Sequence, residues 1–290
     1  MNPYLDPQRI RAALRALNLR PTRGMGQNFL LDPGALQTIV AEAGLRPTDT
    51  VIEVGPGLGV LTWELLERAG RVICVELDRR LAERLTDEFR NRANLFLVQG
   101  DILRFAPADL LTQAAATLPY KLVANIPYAI TAPLLRHFLE ATIPPELSVV
   151  LVQWEVAQRI CAGPGDYSVL AHAIQFYAEP AIVARVPASS FFPAPAVDSA
   201  ILRLRRRPQP AVKVVDVNAL FRLIKAGFLH ARKQLGNALP GGLAALGVAI
   251  PRERVIMALR SAGIDPQRRA ETVTLVEWAN LLAVLAESGV

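Results

Sequence analysis

Cysteine and histidine are scarce. Cys74 and Cys161 are the only cysteines, too few for a disulfide framework, and both sit in apolar runs where buried thiols of a reducing compartment are expected. The three histidines, at 137, 172 and 230, have no spacing that resembles a zinc site, so no metal is expected. Long apolar runs are absent as well. The uncharged stretch over 235–251 is interrupted by Pro240 and the Gly241-Gly242 pair, short of the roughly 20 apolar residues of a membrane span. Met1-Asn2-Pro3 is not followed by a basic-then-apolar leader, so a cytoplasmic protein with no membrane partner is expected. With 18 Gly and 22 Pro in 290 residues, the chain is neither collagen-like nor a Pro-rich linker. Hydrophobic residues make up 52% and charged residues 20%, which excludes a disordered protein and allows a substantial core.

The net charge of +6 is unevenly placed. Residues 1–23 carry +4, residues 24–184 carry −6, residues 185–233 carry +8, and the remainder is balanced. Clustered Lys and Arg displace counterions from phosphates, so this pattern fits a nucleic-acid partner as well as a merely basic surface.

The amino-terminal segment 7–19 places Ile10, Leu14 and Leu17 on one face of a short amphipathic helix. Asp32-Pro33 then predicts an N-cap with Pro at the first helical position, and Gly44 a stop. Beyond it, a β-branched strand at 50–54 and further strand-like runs at 71–76, 95–99, 120–124 and 147–153 alternate with helical patterns at 59–69, 79–89 and 131–139. That alternation predicts a parallel sheet with helices on both faces. Two late strands, 181–186 and 199–205, could form a hairpin pair. Arg205-Arg206-Arg207-Pro208 breaks the pattern. The expected division is therefore a basic arm over 1–23, an α/β domain over 24–210, and a helical domain over 211–290. Helices are expected there at 218–228, 232–239, 252–262 and 273–287.

Glu53-Val54-Gly55-Pro56-Gly57-Leu58-Gly59 follows the first of these strands. Its glycines allow a tight turn and close backbone approach to a ligand. The third glycine comes one position earlier than in the dinucleotide G-x-G-x-x-G fingerprint, so the loop is less suited to a pyrophosphate; alone it is only a Gly-rich turn. Glu76 ends the second strand, 21 residues after Gly55, where a carboxylate accepts from ribose hydroxyls. Asp101 ends the third strand, where it can accept from an adenine amine while Ile102 packs beside the ring. Gly57 and Leu77 complete this candidate pocket. Two such acids at successive strand ends suit an adenosine ligand that is cationic or neutral. S-adenosylmethionine, with a sulfonium and no phosphate, fits.

Asn125-Ile126-Pro127-Tyr128 ends the fourth strand. An adenine amine is a poor nucleophile because its lone pair is delocalised into the ring. If the Asn125 side-chain oxygen and a backbone carbonyl, of Ile126 or Pro127, accept its two N–H bonds, the nitrogen moves towards tetrahedral geometry and the lone pair becomes available. Pro127 fixes φ and brings no competing N–H. Tyr128 offers a flat face to an extruded base. Phe191 or Phe192, in a Pro-stiffened loop, could cover the other face; both are equally plausible as core filler.

Taken in order, these motifs resemble one family. Gly26-Gln27-Asn28-Phe29-Leu30, the glycine loop, Asn125-Ile126-Pro127-Tyr128, Gln153-Trp154-Glu155-Val156, the Val186–Ser199 segment and Arg232-Lys233-Gln234-Leu235-Gly236-Asn237 look like the KsgA family, the small-subunit ribosomal RNA adenine dimethyltransferases. The resemblance runs from about residue 20 to the C-terminus. It implies a Rossmann-like S-adenosylmethionine-dependent methyltransferase sheet with a small C-terminal all-helical domain. It also implies dimethylation of two adjacent adenosines near the 3′ end of small-subunit (16S) rRNA, by a monomer acting on a pre-ribosomal 30S particle. Asn28, Leu30, Gly55, Glu76, Asp101 and Asn125 carry over as cofactor residues, with Gln27 and Asn28 over the methionine end. Phe191 is favoured over Phe192 as the base-covering aromatic. Arg205, Arg206, Arg207, Arg232 and Lys233 are the expected RNA contacts. The chain departs from the family pattern at Trp154 and Ala196, where Lys is usual, around Tyr167–His172, and at Ala231. The alternatives are a related large-subunit enzyme of the antibiotic-resistance type, an assembly factor whose binding outweighs its catalysis, and an NAD-dependent oxidoreductase.

Overall fold

The structure is a computed structural model, and it describes residues 2–19 and 28–287. Its strands are β1 (Phe29–Leu30), β2 (Thr50–Val54), β3 (Arg71–Glu76), β4 (Leu95–Gln99), β5 (Tyr120–Asn125), β6 (Leu147–Gln153), β7 (Ala178–Val186), β8 (Phe191–Phe192) and β9 (Ser199–Arg206). Seven of them form one sheet in the order β4-β3-β2-β5-β6-β9-β7, and β1 pairs with β8 in a separate ribbon. The pairs from β4 through β6 are parallel, as the alternation predicts. β9 joins antiparallel to β6, so the sheet is mixed rather than parallel throughout. The late strands are neighbours. Their connection, 187–198, holds no crossover helix of the kind that a parallel partner requires.

Local chemistry sets the helices. Asp32 accepts from the backbone N–H of Gly34 and Ala35, Pro33 opens the helix, and Gly44 ends it. Three helices carry no clear sequence signal: Pro107–Gln113, Trp154–Ile160 and Val169–Tyr177. None of the described helices is long and apolar enough to cross a membrane.

The chain divides into two compact units, residues 1–157 with 179–206, and residues 158–178 with 207–290. In the first, the central strands are buried end to end, with Val51, Ile52, Val72, Ile73 and Leu122 fully inaccessible. The described amino-terminal residues, 2–19, belong to this unit. Tyr4 lies between Trp63 and Phe89, at 5.7 and 5.4 Å between ring centroids, and Ile10 and Leu14 join the same core. Arg9 pairs with Glu88. The apolar stripe that predicts the helix Pro7–Ala16 is therefore also what docks it, and part of its charge is neutralised. Arg20, Arg23 and Gln27 lie outside the described residues.

The second unit takes in 158–178, which differs from the expected boundary after Pro210. Phe176 is the reason: it is buried against Phe221 at 5.5 Å and shares a core with Leu220, Leu235 and Trp278. The helix expected at 232–239 runs instead over Leu235–Ala245. Residues 232–234 form a turn in which the Lys233 N–H donates to the His230 carbonyl. The helix continues through Pro240 because Leu239 and Leu243 are buried on either side of it, which offsets the one backbone bond that proline cannot make. Cys74 and Cys161 form no disulfide.

Candidate active site

In an open α/β sheet the natural ligand crevice lies beyond the carboxyl ends of the strands, where the strand order reverses. Here that point is between β2 and β5. The glycine loop leaves β2 there, and Asn125-Ile126-Pro127-Tyr128 leaves β5 beside it. A cavity of about 710 Å³ opens at this place. Gly55 sits at φ 66°, and a Cβ on it would lie 3.5 Å from the Pro127 ring. Gly57, at φ 59°, would bring a Cβ to 3.1 Å from Phe29. Both are conformations that L side chains resist, so the loop backbone forms the cavity wall.

Glu76 closes the cavity at the end of β3. It is 5% exposed. Its Oε2 accepts from Gly57 N–H at 3.0 Å and its Oε1 from Asp78 N–H at 3.0 Å. Burial raises its pKa while these two N–H groups pull it back down. The carboxylate thus locks the glycine loop and keeps further lone pairs for a ligand. Asp101 accepts from Leu103 N–H at 3.0 Å and caps the turn that carries Ile102, itself buried. Leu77 is 67% exposed on the rim. Asn28 and Leu30 line the same cavity from the β1 side.

Asn125 shows which way its amide faces. Its Nδ2 donates to the Asn28 carbonyl at 3.0 Å. A carbonyl can only accept, so the nitrogen must face it and the Oδ1 remains the acceptor at the cavity. The Ile126 N–H donates to the Leu151 carbonyl, and the Ile130 N–H to the Pro127 carbonyl. Tyr128 is fixed by a 2.6 Å hydrogen bond between its hydroxyl and Ser199 Oγ at the start of β9. Burial raises its pKa, so it remains a neutral phenol.

Ten sequence-predicted residues therefore meet at one cavity: Asn28, Leu30, Gly55, Gly57, Glu76, Leu77, Asp101, Ile102, Asn125 and Pro127. Tyr128 is not among the residues that line this cavity, and neither is Phe191. Phe191 is 3% exposed, pairs with Leu30 across the β1–β8 ribbon and packs in the core. Phe192 is less buried, with the Arg11 guanidinium 5.2 Å from its ring centre. Arg205 and Arg206 are exposed at the end of β9, and Arg232 and Lys233 are exposed in the turn before Leu235. The Arg207 Nε donates to the Gln175 carbonyl at 3.1 Å, so part of this side chain serves the fold.

Glu53, Asp78 and Ile130 also line the cavity, and the motifs do not point to them. Glu53 does carry a signal, a carboxyl inside the apolar strand TVIEV. It is 1% exposed and accepts from the Cys74 thiol at 3.4 Å. Burial, with the nearby Glu76 charge adding to it, pushes its pKa up to about 8. Below the ordinary carboxylate range both folded and unfolded chains carry this proton. Between about 4.5 and about 8 only the folded chain holds it, so its contribution to stability falls as pH rises through that window. Glu53→Gln removes the titration. In thermal melts the variant should gain on the parent between pH of about 5 and about 8; a constant difference would contradict this.

A glycine loop at positive φ, with the carboxylates of Glu76 and Asp101 beside it at successive strand ends, can accommodate an adenosine-containing cation. Among the described residues no cluster of His, Cys, Asp and Glu is placed to hold a metal. The family profile for ribosomal RNA adenine dimethylase matches residues 19–286. A ribosomal RNA small subunit methyltransferase A from Dehalococcoides mccartyi is 46% identical over 275 residues, 95% of this chain and 92% of that protein. A protein of the same name from Moorella thermoacetica is 41% identical over 292 residues, 98% of this chain and 99% of that one. Among solved structures, a dimethyladenosine transferase from Plasmodium falciparum aligns with a TM-score of 0.74 at 25% identity, covering 90% of this chain and 98% of that one. The 23S rRNA methyltransferase ErmE aligns with a TM-score of 0.67 at 31% identity, covering 89% and 100%. The chain belongs to the ribosomal RNA adenine dimethylase family, enzymes whose methyl donor is S-adenosylmethionine.

Proposed function

We propose that this chain dimethylates the N6 amines of two adjacent adenosines near the 3′ end of small-subunit rRNA, within a cytoplasmic pre-ribosomal 30S particle, and that it acts as a monomer. The small-subunit choice is supported by full-length relatives of that name at 46% and 41% identity, against 31% for the large-subunit enzyme ErmE.

The observation that carries the chemistry is the fixed orientation of Asn125. With Nδ2 held by Asn28, Oδ1 accepts one N–H of the target amine. The Pro127 carbonyl is already engaged by Ile130 N–H, which favours the Ile126 carbonyl as the second acceptor. Together they draw the lone pair out of conjugation, and neither acts as a strong base: as the N–C bond forms the S–C bond of the donor would break, and the acidic ammonium product would give its extra proton to water. Glu76 would hold the ribose hydroxyls of S-adenosylmethionine, Asp101 its adenine amine, and Ile102 and Leu77 the faces of its ring. When bound, this cofactor supplies a methyl on a positively charged sulfur. Tyr128, anchored by Ser199, presents its ring to the extruded base. Phe191 supports the site from the core through Leu30. Once both methyls are attached the amine has no N–H left, so both acceptors lose their partner and product release is favoured.

The test is incubation with labelled S-adenosylmethionine and under-methylated small subunits, followed by nucleoside analysis. Label in dimethyladenosine of small-subunit rRNA is expected; no label in that rRNA, with label appearing only when large subunits are supplied in a parallel incubation, would contradict the assignment. For RNA contact, neutralising Arg205 with Arg206, or Arg232 with Lys233, should weaken binding. For each phosphate no longer neutralised, the magnitude of the slope of log K against log salt should also fall by roughly 0.7–0.9. Filter binding across a salt series measures this, and an unchanged slope would clear those residues of the role.

A further inference from the structure

Trp154 is unlike the other tryptophans of the chain. Trp278 is fully buried in the helical core. Trp63 packs on Tyr4 and under Arg92. Trp154 is partly exposed at the end of β6, with the Arg185 guanidinium stacked 4.9 Å from its ring centre. Arg185 is itself held, because its Nε and Nη2 both donate to Asp198 Oδ2, at 2.9 and 2.8 Å. The other carboxylate oxygen of Asp198 accepts from Ala188 N–H at 2.9 Å. The Trp154 N–H donates to the Asp198 carbonyl at 2.9 Å. An indole with a cation fixed on one face is a rigid surface, prepared before any ligand arrives.

Its place in the sheet gives it a task. Gln153 faces Ser199 in the β6–β9 register, and Ser199 anchors the Tyr128 hydroxyl. Trp154 is the next residue along, at the same carboxyl edge where Asn125 ends β5. The anchor of the base-receiving Tyr128 and Trp154 thus lie at adjacent positions at the end of the β6–β9 pair, and Arg185 reaches the indole from β7. We infer that Trp154, backed by Arg185, is a second stacking platform for RNA, receiving on its other face a base that flanks the target adenosine. Single-stranded RNA is held in this way by aromatic and guanidinium planes. The inference rests on the proposed RNA substrate.

Under-methylated small subunits serve as the probe. Trp154→Ala should raise their KM about tenfold. Trp154→Phe, which keeps a ring, should stay within about threefold of the parent. Affinity for S-adenosylmethionine, measured without RNA, should be unchanged in both. A single-stranded RNA with adjacent adenosines should quench tryptophan emission in the parent and much less in Trp154→Phe, a signal that a packing role would not produce. If the parent methylates small subunits and Trp154→Ala has the same KM, the platform is wrong while the substrate assignment stands. If the parent methylates no small-subunit RNA, the assignment falls first. Lost donor affinity and a lower Tm in Trp154→Ala, with undiminished quenching in Trp154→Phe, would make the residue structural and overturn the inference.

Discussion

Asn125→Ala is expected to lower kcat for methyl transfer by about 10²–10³-fold, the usual effect of deleting one preorganised polar group at a reacting atom. Donor affinity should change much less, because Glu76 and the glycine loop remain. The more discriminating variant is Asn125→Asp. It keeps an acceptor oxygen, and a simple count of acceptors predicts that it works. The structure predicts otherwise. In the parent, Nδ2 donates to the Asn28 carbonyl at 3.0 Å; in the variant an anionic oxygen would face that carbonyl, and the side chain would turn away. Both variants should therefore be crippled in a single-turnover assay with S-adenosylmethionine and small subunits. An Asn125→Asp enzyme of parental rate would show that the Asn28 contact does not set the acceptor.

Glu76→Gln is expected to be severe although it preserves shape. The carboxylate takes N–H groups from both Gly57 and Asp78. A glutamine has one oxygen, so its amide must turn a donor towards one of those donors. Leaving a buried donor unsatisfied costs roughly 1–3 kcal/mol. The loop at Gly57 loses its lock and the ribose position loses an acceptor together. The dissociation constant for S-adenosylmethionine should rise by about 10- to 100-fold, with a lower Tm, read by calorimetry of binding and of unfolding. Parental affinity in this variant would mean that the Glu76 carboxylate neither holds the loop nor meets the donor.

The sheet is legible in the sequence because its strands are short, largely apolar runs separated by helical patterns and turn residues, and because Asp32-Pro33 and Gly44 mark a helix with side chains that act locally. The pocket is legible for a related reason: its acids stand at strand ends, where the register of β2, β3 and β4 fixes what is adjacent. What escapes depends on residues distant in sequence. The antiparallel entry of β9 is decided by which edge strand it meets, and 158–178 joins the helical unit through Phe176, whose partners lie some forty residues and more further on. Burial of Phe191 follows from the two-residue β1–β8 ribbon, too short to leave a periodic signal. The amino-terminal helix is legible from Ile10 and Leu14, but what its apolar face docks against is not, because Tyr4, Trp63 and Phe89 meet only in the folded unit.

The central claim concerns one atom, the Asn125 Oδ1. A crystal structure of the enzyme with a non-reactive analogue of S-adenosylmethionine and a short RNA carrying adjacent adenosines tests it directly. The account predicts the extruded adenine with its N6 at about 2.7–3.2 Å from both Asn125 Oδ1 and the Ile126 carbonyl. An adenine whose amine donates elsewhere, or an Asn125 whose oxygen faces away from it, would contradict the account.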